Sequence, residues 1–177
     1  YGECYNPTEA GSSGDGTGSR STSVLQSLTV AGNVLTTQTQ MAFWLKANQP
    51  YGTTCGSSSA TVAQNKQDLS NHILKKKVTI GFNGMPHVIE HLITFVVPES
   101  FTYAVFEALT GYMPPDFSTF WTYDPKTKTL APISDGPGEQ QYPVILATPD
   151  GNYAMGVYSP DLPDLKYSTA GYGRWRF

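Results

Sequence analysis

Charged side chains are scarce in this sequence. They make up 14% of its 177 residues, whereas a typical soluble domain carries roughly 25%. The 11 basic and 14 acidic residues leave a net charge of −3, without the excess of Lys and Arg that binding to phosphates requires. We therefore expect no nucleic acid partner. The polarity comes instead from uncharged Ser, Thr, Gln, Asn and Tyr, a balance typical of extracellular β-proteins.

Long apolar runs are also missing. The longest, Leu92 to Val97, is interrupted by Thr94 and is far shorter than the roughly 20 residues of a membrane-spanning helix. The sequence therefore predicts no membrane span. Tyr1 stands where a start methionine would be, which we interpret as a mature or trimmed chain from which any signal peptide has already been removed.

Cysteine is limited to Cys4 and Cys55. An even count in a chain rich in Gly, Ser and Thr predicts one disulfide and an oxidising, extracellular compartment. Closing a loop of about 50 residues would stabilise the fold by roughly 4 kcal/mol in chain-entropy models. The bridge would hold down the loop-rich N-terminal segment 1–23, whose Gly/Ser-rich part cannot order itself by burial.

What the sequence does contain is a series of strand-like segments separated by tight-turn residues. Turns are predicted at 31–33, at Asn83-Gly84 with strands 77–82 and 85–97 beside it, at 124–128, and at 149–151. Residues 62–74 are the best helix candidate, since Val62, Leu69 and Ile73 would share one face. We predict a single all-β domain over 1–177, an antiparallel β-sandwich or jelly roll of about nine or ten strands with at most one or two short helices.

The sharpest motif is His87-Val-Ile-Glu90-His91. It reads H-x-x-E-H and resembles the zinc motif of the pitrilysin-type (inverzincin) metalloproteases. In that family the motif lies on a helix, where positions i and i+4 can share one metal. Here it follows a predicted hairpin turn, and on a strand His87 and His91 would lie ~13 Å apart. They could not bind one ion together, so we expect no cofactor, although either could join a metal site with a residue of a neighbouring strand.

Aromatic residues are the most informative feature of the composition, with 11 Tyr, 8 Phe and 3 Trp. Tyr and Trp combine an apolar face with a polar tip, which suits the apolar faces and hydroxyl rims of sugar rings. Two clusters lie close to loops with polar residues. We predict that they contain the ligand-binding residues, namely Tyr112, Asp116, Trp121 and Tyr123 in the first and Tyr172, Arg174 and Trp175 in the second. The alternative is that these aromatics simply fill a sandwich core.

Three functions remain open on the sequence. The leading hypothesis is a secreted, glycan-binding β-sandwich, either free-standing or an accessory module of a carbohydrate-active enzyme. The second is a small extracellular glycoside hydrolase or lyase, since hydrolysis needs only two suitably placed carboxylates. The third is a self-assembling structural subunit that pairs through strand edges.

Overall fold

A computed structural model describes residues 7–13, 21–50, 61–100, 113–133, 138–140, 142–158 and 173–175; for 138–139 and 173–175 only the backbone is described. The chain divides into two compact units, Tyr1–Thr110 and Gly111–Phe177. In the described parts of both, the regular structure consists of antiparallel strands, with one 3₁₀ turn at Phe82–Gly84. The all-β prediction is therefore confirmed.

The first unit contains one four-stranded sheet. Its strands follow the chain in a meander, with each strand pairing with the next in the order β1-β2-β3-β4. They are long for a small domain. Their bounds are Val24–Ala31 for β1, Val34–Ala42 for β2, Leu69–Ile80 for β3 and Ile89–Val96 for β4.

The β1–β2 connection is the tight hairpin that the sequence predicts. Ala31 pairs with Val34, so only Gly32 and Asn33 form the loop. Gly32 has φ of 58°, which a side chain would disfavour but glycine adopts readily. A glycine at the first loop position with positive φ is the feature of a type II′ turn, whose twist matches that of the flanking strands.

The β3–β4 hairpin exists, but its predicted two-residue turn is wrong. Asn83 and Gly84 do adopt positive φ, 51° and 77°, as expected for an Asn-Gly pair. The strands, however, close at the pair Ile80–Ile89, so the connection runs through eight residues, 81–88. It folds onto itself through bonds such as Gly81 N–H to the Val88 carbonyl, 2.8 Å.

The predicted helix over 62–74 is also wrong. Residues 61–68 contain no helix, and from Leu69 onward the chain is β3, one of the two interior strands of the sheet. Between Ile73 and Ile80 this strand pairs with β4, and over most of its length with β2. Hydrogen bonding to two neighbours outweighs the weak helical periodicity of a short segment.

The core of the first unit lies at one end of its sheet. Its buried apolar residues are Met41, Ala42, Phe43 and Leu45, at the end of β2 and just beyond it, together with Ala63 and Leu74. Buried polar groups there are bonded to the backbone, since the Ser70 hydroxyl donates to the Met41 carbonyl at 2.6 Å and the Asn65 amide to the Leu45 carbonyl at 3.0 Å. The opposite end of the sheet, near the β1–β2 turn, lies far from this core.

The second unit contains a four-stranded antiparallel sheet in the order β6-β5-β8-β9 and a two-stranded pair, β10 with β7. One face of the larger sheet is buried through Val144 and Leu146, 1% and 4% exposed. These strands are short. Their bounds are Thr119–Asp124 for β5, Thr129–Pro132 for β6, Gly138–Gln140 for β7, Val144–Ala147 for β8, Ala154–Val157 for β9 and Gly173–Trp175 for β10.

The hairpin turns predicted at 124–128 and 149–151 are confirmed in this unit. In both, an aspartate carboxylate accepts a backbone N–H two residues later, Asp124 from Lys126 and Asp150 from Asn152, which is the Asx turn that favours aspartate at such positions. Across both units, the described residues include no helix long and apolar enough to span a membrane.

Candidate functional site

An open groove of about 790 Å³ lies at one end of the larger sheet of the second unit. One wall is the segment that leads into β5, and the other is the turn between β8 and β9. Its lining residues are Pro115, Asp116, Phe117, Ser118, Thr148, Pro149, Asp150 and Tyr153. The lining therefore combines two carboxylates and two aliphatic hydroxyls with proline and aromatic carbon.

The two walls are joined by strand pairing directly below the groove. Thr119 pairs with Ala147, and the Thr119 hydroxyl donates to the Ala147 carbonyl at 2.8 Å. Ser118 and Thr148 are the next residues along each strand, so this pairing sets the spacing of the walls. On the first wall, the Phe117 N–H donates to the Pro114 carbonyl at 3.0 Å, which forms a turn with Asp116 exposed at its tip.

The second wall is held by a network around Asp150. Its carboxylate accepts hydrogen bonds from the Thr148 hydroxyl, from the Asn152 N–H at 3.1 Å and from the Asn152 amide at 2.6 Å. These bonds, chiefly that from Thr148, lower the pKa of Asp150 below its ordinary value because they favour the ionised form. The site therefore presents a fixed negative charge at neutral pH.

Tyr153 is the most exposed aromatic residue of the groove, with 69% of its surface accessible. Its backbone is nevertheless fixed, since Thr148 N–H donates to the Tyr153 carbonyl at 3.0 Å and Tyr153 N–H to the Thr148 hydroxyl at 3.2 Å. A large side chain displayed on a rigid backbone loses little backbone entropy when a ligand packs against it.

Two of the predicted ligand-binding aromatics lie on β5. Trp121 is opposite Pro132 and Ile145, and Tyr123 is opposite Leu130. Because directly opposite residues share a face of an antiparallel sheet, these five side chains form one strip on the face away from Val144 and Leu146. Trp121 and Tyr123 are half-buried, and Leu130 is 56% exposed.

The structure places the remaining predicted residues as follows. Among the predicted ligand-binding residues whose side chains the structure describes, Asp116 lines the groove, whereas Trp121 and Tyr123 do not. Tyr112 and Tyr172 lie outside the described residues, as do Cys4 and Cys55, so the disulfide stays a prediction. Arg174 and Trp175 belong to β10, where their backbones pair with Glu139 and Gly138 of β7, and their side chains are not described.

The predicted metal-binding histidines both lie at the exposed surface, but not on one strand. His91 is on β4, whereas His87 falls in the connection before it, because β4 begins only at Ile89. The expectation that both lie in one extended strand is wrong for this reason. Neither is helical, and the parts of the chain that are described include no cluster of three or more His, Cys, Asp or Glu side chains suited to a metal.

Sequence reasoning missed Phe117, Asp150 and Tyr153 as parts of a site. The 149–151 turn was visible in the sequence, but its meeting with residues 115–118 depends on the pairing of β5 with β8, two strands separated in the sequence by 19 intervening residues. The available local signal was a tyrosine two positions after Asp150-Gly151, separated from that turn by Asn152. Compared with models of protein families, with curated proteins and with solved structures, the chain shows no match.

Proposed function

We propose that the second unit binds glycans and that the groove between the 115–118 segment and the β8–β9 turn is the contact surface. The observation that carries this proposal is the exposed Tyr153 ring beside two carboxylates on hydrogen-bonded turns. The accessory, secreted β-sandwich module expected from the sequence belongs to the same proposal.

The chemistry of the lining matches that of a sugar. A pyranose ring offers an apolar face of C–H groups, which packs against an aromatic ring, and a rim of hydroxyls, which donate to carboxylate oxygens. Tyr153 supplies the ring, while Asp116 and Asp150 supply the acceptors. Asp150 is already ionised and oriented by its own turn, so binding needs little reorganisation there.

The β5 strip supplies a second, flatter surface for the same class of ligand. Trp121 and Tyr123 are two residues apart on one strand and therefore lie roughly 7 Å apart on one face. That spacing supports contact with more than one sugar unit of a chain. We propose this strip as a secondary contact, because both side chains are half-buried and offer less area than Tyr153.

A binding role fits the groove better than glycoside hydrolysis. A hydrolase needs one carboxyl with a raised pKa to protonate the leaving group. Asp150 has a lowered pKa for the reason given above, so it does not suit that role. In this proposal Asp150 therefore serves as a hydrogen-bond acceptor.

The test is retention of the protein on a panel of immobilised polysaccharides and a glycan array. Tyr153→Ala should weaken binding about tenfold, the equivalent of roughly 1.4 kcal/mol of aromatic contact, and Asp116→Ala should weaken it as well. Tyr158→Ala is the matched control, because Tyr158 is 64% exposed and lies just beyond the far end of β9, outside the groove.

Each outcome decides the proposal. Specific loss in the Tyr153 and Asp116 variants, with Tyr158→Ala unchanged, supports it. Equal behaviour of Tyr153→Ala and Tyr158→Ala, or no retention of the wild-type protein on any polysaccharide, refutes it. Release of sugars or unsaturated ends by the wild-type protein would replace it with the enzymatic function.

A further inference from the structure

Strand β1 forms one edge of the first sheet, and all eight of its residues are exposed. Edge strands in soluble proteins are usually protected by charge, proline or shortness. β1 has neither charge nor proline, and no charged residue occurs anywhere from Val24 to Leu45. Its one irregularity is a bulge between Leu25 and Ser27, which leaves the segment from Ser27 to Ala31 regular.

The side chains of this regular segment continue an apolar face of the sheet. Val30 lies opposite Leu35 of β2, which in turn lies opposite Val78 of β3. Val30 is 69% exposed, Leu28 56% and Leu35 37%. Leu28 lies in the neighbouring row, opposite Thr37, which in turn lies opposite Lys76. The exposed apolar cluster is therefore Leu28, Val30 and Leu35, at the end of the sheet away from the core, and clusters of exposed apolar side chains are found at interaction sites.

The backbone groups available at this edge follow from the turn. In a two-residue hairpin the flanking pair, here Ala31 and Val34, exchanges hydrogen bonds, and every second residue repeats the pattern. Ala31 and Thr29 therefore bond to β2, whereas the N–H and C=O groups of Leu28 and Val30 point outward. A partner strand could bond to both residues without disturbing the existing ladder.

We propose that β1 pairs antiparallel with β1 of a second copy of this chain, about a twofold axis at Thr29. Leu28 of each copy then lies opposite Val30 of the other, and the two sheets become one eight-stranded sheet. An axis perpendicular to the sheet keeps the same face of both copies on one side, so the apolar faces join. This inference concerns the first unit alone and does not depend on the glycan proposal.

The absence of charged residues on β1 favours a second copy of this chain as the partner that pairs with its edge. A strand that pairs with itself about a twofold axis brings every charge close to its own duplicate, and β1 carries none. The basic run Lys75 to Lys77 lies on β3, five strand spacings from its counterpart in the paired sheet, or about 24 Å. That distance exceeds the ~8 Å screening length at physiological ionic strength, so the lysines do not oppose pairing.

The first test is cross-linking through Thr29→Cys. In the proposed register the two copies of this residue form a non-hydrogen-bonded pair with Cα atoms roughly 4.5 Å apart, within the range of a disulfide. Thr36→Cys is the matched control, since Thr36 is the exposed residue opposite Thr29 on β2, and its copies would be about 14 Å apart. Peptide mapping by mass spectrometry identifies which cysteines are joined.

The second test is the oligomeric state by sedimentation or sizing over a range of concentrations. Val30→Lys should raise the dimer dissociation constant at least tenfold, because it places a lysine opposite Leu28 of the other copy and brings the two lysines into diagonal positions across the axis. The control variant Leu130→Lys should leave the dimer dissociation constant unchanged, although Leu130 is as exposed as Leu28 and equally apolar. Circular dichroism spectra like those of the wild type show that both variants fold.

A Thr29-specific cross-link together with a dimer that Val30→Lys dissociates supports the proposal. It is overturned if the wild type stays monomeric and Thr29→Cys does not cross-link. It is equally overturned if Thr36→Cys cross-links as readily, which would indicate face-to-face packing, or if the dimer withstands Val30→Lys.

Discussion

The two four-stranded sheets are both antiparallel, yet they differ in how far their strands extend beyond the buried core. In the first unit the strands have 8 to 12 residues, and Val30 and Ile80 at the far end are 69% and 56% exposed. In the second unit the strands of the larger sheet have 4 to 6 residues, and Val144 and Leu146 are almost fully buried.

This difference shows how strand length decides what a sheet can present. Short strands bring their turns close to the core, so the β8–β9 turn is held firmly enough to form one wall of a groove. Long strands carry their ends away from the core and leave edges and faces exposed, as at Val30 and Ile80. The recognition site that we propose in the second unit and the association surface that we propose in the first both rest on this geometry.

The largest effect on stability should come from shortening a side chain on the buried face of the larger sheet of the second unit. Leu146→Ala should lower the free energy of unfolding by about 2–5 kcal/mol, because it deletes a buried side chain and leaves a cavity. Leu130→Ala, at an exposed site of the same sheet, should change it by less than about 0.5 kcal/mol. Urea unfolding of both variants checks the contrast, and equal losses would show that the sheet has no buried face.

A smaller effect on stability should come from acid, and it should distinguish the buried His72 of the first sheet from the exposed His91 of the same sheet. His72 is 2% exposed, and burial lowers its pKa below 6.5 despite the opposing charge of Glu99. The unfolded chain therefore binds a proton at His72 more readily than the folded protein does. The contribution of His72 to the free energy of unfolding is therefore fully present above pH 6.5. It is lost as the pH falls through 6.5 towards the pKa of His72 in the folded protein.

The measurement is the melting temperature between pH 7.5 and pH 5. His72→Gln should flatten the decline seen in the wild-type protein, whereas His91→Gln, at the exposed end of the sheet, should retain it. If both variants keep the wild-type slope, the acid sensitivity comes from other groups.

The smallest effect should come from the ion pair that joins the N-terminal segment to the first sheet. The Lys76 ammonium lies 2.7 Å from the Glu9 carboxylate, but both side chains are about one-third exposed. Glu9→Gln should therefore reduce stability by only about 0–1 kcal/mol, less still in high salt. A double-mutant cycle with Lys76→Gln isolates the pair, and a coupling above 2 kcal/mol would contradict its placement at the surface.

Predictions from the sequence succeeded where the determining interactions are local. The Gly32-Asn33 and Asp150-Gly151 turns follow from residues that accept positive φ or bond to their own backbone. The prediction failed for 62–74 because the strand there is stabilised by β2 and β4, whose contribution is invisible in a short window. The candidate site was found only in part, through Asp116, because Asp150 and Tyr153 reach it by a non-local pairing.

By itself, the sequence determined the all-β class, the places where the chain reverses and the scarcity of charge, since each depends on the conformational and hydrogen-bonding preferences of single residues or close neighbours. The tertiary structure alone decided which strand is central, where β4 begins, which aromatics are exposed and which loops meet to form the groove. These depend on register between distant segments, and register is set by the sum of many weak pairings that no single stretch of sequence contains.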